Sequence, residues 1–184
     1  MALGYIPDIA VFAKGMSNGF PMAAIIGKKN IMDVAQNTFI SSTYFTERVG
    51  LAASLKCIEI IERDRVWEKL ISLGKRIKVD WNNLATNNRI RISIGGIDPL
   101  PHFSFLYPNS MAYKTYFVQE MLVRGFLAST AFYISGAHTD RIVDEYMKAV
   151  DQVFGKIREI QENGQPIEAY LKGPVCHTGF GRLN

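Results

Sequence analysis

The sequence predicts an α/β chain in two parts. Residues 1–60 read as the end of a large α/β domain, and residues 61–184 as a small α+β domain. Three observations carry this. Pro7–Gly27 (PDIAVFAKGMSNGFPMAAIIG) is an apolar run, a loop of small residues and a second apolar run, the pattern of two buried strands joined by a tight turn. Arg89–Ile94 alternates Arg, Ile, Arg, Ile, Ser, Ile, and His102–Tyr107 (HFSFLY) follows it, as in a half-buried antiparallel pair. Long stretches of helical period lie before and after that pair. The natural division falls between Cys57 and Asp64, where one helical pattern gives way to the next.

The elements follow in order. Strands are expected at Ile9–Ala13 and Met22–Ile26, and a short helix over Lys28–Asn37 with Ile31, Val34 and Ala35 on one face. Thr38–Gly50 begins with β-branched and aromatic residues and becomes hydroxyl-rich. A helical period then runs from Val49 to about Glu62, with Thr46 as candidate N-cap. A second helix starts at Asp64. It sets Val66, Leu70, Leu73, Ile77 and Trp81 against Lys69, Lys75 and Lys78, an amphipathic pattern that covers a core. Thr86-Asn87-Asn88 ends it. Pro108–Arg124 reads as a helix closed by Gly125, Phe126–Ser129 as a short strand, and Asp140–Gln161 as a last long helix capped by Thr139.

Composition narrows the class. The chain has 184 residues, 48% hydrophobic and 21% charged, an ordinary globular balance rather than a disordered one. A net charge of +4 with basic and acidic residues interspersed gives no nucleic-acid footprint. Cys57 and Cys176 are too few and too far apart for a disulfide framework, which points to a reducing cytoplasm. The first residues lack a basic, then apolar, leader pattern, and no apolar run is long enough for a membrane span. A buried-type strand so near the first residue suggests a piece of a longer protein.

Lys14 stands where the first apolar run ends. From the residues alone it is either a solvated lysine opening a loop or an amine at the edge of an apolar sheet. In the second case desolvation would depress its pKa and make it a nucleophile. Pro7-Asp8, Lys14, Gly19-Phe20-Pro21 and Gly27 together resemble the lysine segment of the class III aminotransferases. These are fold-type-I pyridoxal-phosphate enzymes, and glutamate-1-semialdehyde 2,1-aminomutase belongs with them. The resemblance implies that residues 1–60 close the large pyridoxal-phosphate-transferase domain. It also implies that Lys14 is the Schiff-base lysine and moves the proton during transfer.

Two further segments fit the resemblance. Ser41-Ser42-Thr43 precedes a helix, where hydroxyls either cap the helix or bind phosphate. In the family a threonine at the position of Thr43 reaches the cofactor phosphate of the neighbouring subunit, with Ser42 beside it as a weaker candidate. Related sequences often read Gly-Asn-Pro where this chain has Thr46-Glu47-Arg48. It resembles instead the aminomutase-like subset with an S-S-T-aromatic-aromatic-T-E-R pattern. Gly125–Thr139 resembles the family's small-domain strand and the Ala-His-Thr that opens its last helix. His138 reads as structural rather than catalytic, and Arg48 as a partner in a surface ion pair.

Other signals are bland. His102, His138 and His177 show no zinc spacing, and Gly15–Gly19 lacks the Gly-Lys-Ser/Thr of a nucleotide loop. The aromatic residues over Tyr113–Phe117 read as core. Taken together, the resemblance implies transfer of an amino group between a small amino donor and a carbonyl acceptor, in a homodimer with the site at the subunit interface. The aminomutase reaction and a non-catalytic dimerisation module are the alternatives. In the family, the aspartate at the pyridine nitrogen, the ring-stacking aromatic residue and most of the phosphate cradle lie upstream of this stretch. Asp8 is not that aspartate, so this stretch alone is expected to catalyse poorly. No nucleic acid, membrane or metal is expected.

Overall fold

The structure, a computed structural model, describes Gly4, residues 6–177 and Gly179. The chain divides into two compact units, the first ending at Val66 and the second beginning at Trp67. The break follows the Asp64–Arg65 turn, where Arg65 takes a φ of 47°.

In the first unit β1 (Ile9–Phe12) pairs antiparallel with β2 (Ala24–Gly27), in the register Ile9↔Gly27 and Phe12↔Ala24. Helix α1 (Lys29–Met32) follows and runs into a 3-10 turn, Asp33–Asn37. Lys28 ties this return to the start of β1. Its amide donates to the Asp8 carbonyl at 3.0 Å, and its Nζ lies 2.6 Å from the Asp8 carboxylate. Helix α2 (Val49–Arg63) completes the unit. The expected buried strands are not buried. Val11 is 66% exposed and Ile25 60%, because the two-stranded sheet has no described element laid over its faces.

The second unit has a true core. Helices α3 (Val66–Asn87), α4 (Ser110–Val123) and α5 (Asp140–Glu162) accompany the hairpin of β3 (Ile92–Gly95) and β4 (His102–Phe105). The hairpin register is Ile92↔Phe105 and Gly95↔His102. Phe103 sits at the centre. Its ring meets Trp81 at 4.9 Å, Phe117 at 5.2 Å, Phe105 at 5.5 Å and Phe154 at 5.9 Å, all edge to face. That geometry matches the aromatic quadrupole and adds to the area buried. The Trp81 indole N–H finds the Tyr146 hydroxyl at 3.2 Å, so this buried polar group is satisfied.

Two strands differ from the expectation, each for a local reason. β3 begins at Ile92 rather than Arg89. Arg89 takes a φ of 57°, its amide bonds Thr86 O, and the Ile90 amide bonds Ala85 O. This left-handed helix cap uses the first residues of the alternating run. Phe126–Ser129 is not a strand. Gly125, at φ 84°, turns the chain so that the Phe126 amide returns to Met121 O. Pairing with β4 starts only at Thr130, whose carbonyl accepts from Phe103, with a single bridge between His102 and Ala131. Thr139 caps α5 as expected, its Oγ1 accepting from the Ile142 amide at 3.3 Å.

Two tests follow from this packing. At Gly74 of α3, a Cβ would lie 1.7 Å from the Asp98 carbonyl. Gly74→Ala therefore forces the Gly96–Pro101 loop off the helix and lowers stability by about 1–3 kcal/mol, read by urea denaturation. Glu120 is 8% exposed and accepts from Arg124 and Lys156, both at 3.0 Å. Burial pushes its carboxyl up, but the hydrogen bonds from Lys156 and Arg124 outweigh burial and hold it below the usual range. Its contribution is thus full above the ordinary value of about 4.3 and is lost as the pH falls through the lower folded value. The stability difference between the unsubstituted chain and Glu120→Gln should shrink as the pH is taken from 6 to below about 4, and a gap that does not change with pH would show that Glu120 is not ionised in the core.

Candidate active site

Lys14 is the first residue beyond the β1 edge, after Ala13. It begins a 3-10 turn, Lys14–Ser17, and takes a φ of 55°. A left-handed backbone at a lysine is strained, and such strain persists only where the surroundings impose it. Here the turn imposes it. The Met16 amide bonds Ala13 O at 3.2 Å, Asn18 bonds Gly15 O at 3.3 Å and Phe20 bonds Ser17 O at 3.3 Å. Ser17 is fully buried and its hydroxyl donates to the Phe20 carbonyl. Asn18 at φ 49° and Gly19 at φ 105° then reverse the chain into β2. The whole turn packs on α2.

The Lys14 side chain is exposed, and its Nζ has no hydrogen bond or ion pair among the described residues. The burial expected around this amine is therefore not supplied by these residues. The sheet edge that carries it is open.

The hydroxyl segment folds as a chain of turns. Ser42 Oγ accepts from the Tyr44 amide and Ser42 O from the Phe45 amide, both at 3.3 Å, and Tyr44 O accepts from the Glu47 amide at 3.1 Å. Thr43 is exposed, and its hydroxyl has no partner among the described residues. Thr46 is not the cap of α2. Glu47 does that work, its carboxylate accepting from Val49 N at 2.7 Å and Gly50 N at 2.9 Å. The Gly50 and Val49 bonds hold the Glu47 carboxyl below the usual range, as expected for an anion at the positive end of a helix. A carboxylate two residues before a helix reaches both free N–H groups at once, which the shorter Thr46 hydroxyl cannot. Arg48 makes no ion pair among the described residues and serves α2 through its carbonyl, which accepts from Ala52.

The chain after the Lys14 turn and the chain after Thr43 meet at one cleft, whose lining does not include Lys14, Ser42 or Thr43. A cavity of about 710 Å³ is lined by Phe20, Pro21 and Met22 from the Lys14 loop and by Tyr44, Glu47 and Gly50 from the hydroxyl segment. At Gly50 a Cβ would lie 2.9 Å from Pro21 O, so only glycine allows this approach. No hydrogen bond joins Lys14 to Ser42 or Thr43 among the described residues. Behind the cleft, Ser54 of α2 is buried with its Oγ unpartnered among the described residues. In the second unit His138 is structural. Its Nδ1 lies 3.0 Å from the Ser135 amide and hydroxyl, and its ring packs on Phe132 at 5.0 Å. No helix among the described residues is long and apolar enough to cross a membrane.

Residues 1–96 match the family model described as aminotransferase class-III. The chain belongs to this family. Among curated relatives, it is 28% identical over 163 residues to the 3-aminobutyryl-CoA aminotransferase of Cloacimonas acidaminovorans, covering 85% of this chain and 39% of that one. It is 31% identical over 172 residues to the glutamate-1-semialdehyde 2,1-aminomutase of Polynucleobacter necessarius, covering 84% and 40%. Among solved structures, the FumI protein of Sphingopyxis sp. MTA144, described as its PLP internal aldimine form, superposes with a TM-score of 0.82 at 22% identity, over 92% of this chain and 42% of that one. An omega-transaminase from Sphaerobacter thermophilus gives 0.78 at 17% identity, over 85% and 40%. The fold is thus that of a class III aminotransferase, and the chain spans about two fifths of the length of the relatives it matches.

The strain at Lys14 is directly measurable. With the amine removed in both cases, Lys14→Gly should be more stable than Lys14→Ala by about 1 kcal/mol, because only glycine takes the left-handed backbone freely. Equal midpoints in thermal unfolding of the two variants would show that the turn relaxes.

Proposed function

We propose that this class III aminotransferase family member takes part in pyridoxal-phosphate-dependent transfer of an amino group between a small amino donor and a carbonyl acceptor. The observation that carries the reading is Lys14, set in a strained backbone just past the β1 edge with its Nζ free of partners. The residues present fit the cofactor. The Lys14 amine is free for its aldehyde end, and the Thr43 hydroxyl, with Ser42 beside it, is free for its phosphate.

When bound, pyridoxal phosphate supplies the electron sink that lets the substrate carbon beside nitrogen lose a proton. This chain would supply the amine and part of the phosphate contact. Lys14 Nζ would hold the cofactor's aldehyde end and, as a free amine, would be the base that takes and returns that proton. Thr43 Oγ1, with Ser42 beside it, would hold a cofactor phosphate, across the subunit interface in the arrangement the family resemblance implies. The names of the relatives support transfer chemistry, and the 31% identity to an aminomutase supports intramolecular transfer as a second reading.

A homodimer with the site at the subunit interface belongs to the same proposal. It is supported by the apolar side chains that the first unit leaves in the open, among them Val11, Phe12, Phe39 and Leu55. Large apolar side chains left exposed in this way are ones that a subunit interface would bury. The free cysteines Cys57 and Cys176 support a place in the reducing cytoplasm.

The test is covalent trapping. After incubation with pyridoxal 5′-phosphate and borohydride reduction, peptide mass mapping should place the label on Lys14, and Lys14→Ala should remove it together with the near-visible absorbance band. Label spread over surface lysines, or a band that survives the substitution, would overturn the assignment.

A further inference from the structure

Glu47 joins three parts of the candidate site. Its two carboxylate oxygens take the Val49 and Gly50 amides at the start of α2. Its own amide bonds Tyr44 O, and the turn continues through Tyr44 N to Ser42 Oγ and Phe45 N to Ser42 O. Thr43 lies inside that turn with its hydroxyl unpartnered among the described residues. On the other side, Glu47 lines the cleft shared with Phe20, Pro21 and Met22 of the Lys14 loop.

A bare helix start attracts anions, because its first N–H groups have no acceptor and its dipole is positive there. At α2 that place is taken. A phosphate arriving at this corner meets a carboxylate on the Val49 and Gly50 N–H groups and finds free donors in the hydroxyl turn and in the adjacent Arg48 guanidinium. The same two hydrogen bonds that close the helix start also hold the last residue of the turn, so the turn inherits the rigidity of α2. A hydroxyl on a free loop would lose more entropy on binding than one already held.

We propose that Glu47 is a positioning residue for phosphate recognition: by occupying the start of α2 it holds the Ser42–Glu47 turn in the form that presents Thr43 to the cofactor phosphate. This rests on the function proposed above. It makes Glu47 act through Thr43 and gives it no contact with the reacting atoms.

The comparison of pyridoxal 5′-phosphate with pyridoxal, which has the same aldehyde and no phosphate, isolates this role. Borohydride trapping on Lys14 is titrated with each compound, in the unsubstituted chain, Glu47→Gln and Glu47→Ala. The unsubstituted chain should label at a lower concentration of the phosphorylated form. Glu47→Ala should reduce that preference roughly tenfold, the scale of one lost charge-assisted hydrogen bond, while trapping by pyridoxal stays the same. Glu47→Gln keeps one oxygen acceptor and should recover most of the preference. An unchanged preference in Glu47→Ala overturns the inference, and so does a raised one, which would mean that the carboxylate only repels phosphate. A loss of trapping by both compounds with helix content intact also overturns it, since Glu47 would then serve the Lys14 loop. Absence of Lys14 labelling in the unsubstituted chain is a different failure, that of the function reading itself. Circular dichroism of Glu47→Gln keeps the test open should Glu47→Ala fail to fold.

Discussion

The second unit depends on one side chain. Phe103 reaches inward from β4 and presents its ring to rings from α3, α4 and α5 at once. Each edge-to-face contact fixes a distance and a tilt, so the helices cannot slide without breaking several contacts together. The hairpin then needs little length. Four residues per strand suffice, because Phe103 and Phe105 point to the same face and lock it to the helices. The Gly96–Pro101 loop reaches its place only because α3 carries glycine at Gly74.

The first unit is ordered by different means. Its sheet buries little, and its fixed points are short hydrogen-bonded turns: Ser17 under the Lys14 turn, Lys28 on Asp8, Glu47 on α2. These are local, sequence-near contacts that specify a backbone path more than they stabilise a globule. Such a path holds Lys14 at a defined place just past the strand edge. The strain at Lys14 is offset by the turn bonds around it and by the packing of that turn on α2.

Periodic features were legible in the sequence. The apolar faces of α3 and α5, with Trp81, Tyr146 and Val153, follow from spacing alone, and the alternation around Ile92 and the Thr139 cap were equally plain. The tight turn after Lys14 was legible through Gly19 and Pro21. What escaped were features set by competition for backbone groups. The first half of Arg89–Ile94 looks like strand, yet its amides are taken by the carbonyls that α3 leaves free. Phe126–Ser129 has strand composition, yet its first amide returns to α4. Burial of β1 and β2 could not follow from their composition either, because apolar content records what a strand can bury and not what covers it.

The Glu47 cap shows how a departure from a family pattern can still close a helix start. Where related sequences often read Gly-Asn-Pro, asparagine is among the best residues for closing a helix start through its side chain. This chain has Thr46-Glu47-Arg48 there, which removes both the asparagine and the proline. The longer glutamate side chain compensates by spanning to two amides, Val49 and Gly50, instead of one. The helix start remains closed, now with a full negative charge on it. That charge bears on any anion bound nearby, and the Thr43 hydroxyl is among the groups left free at this corner.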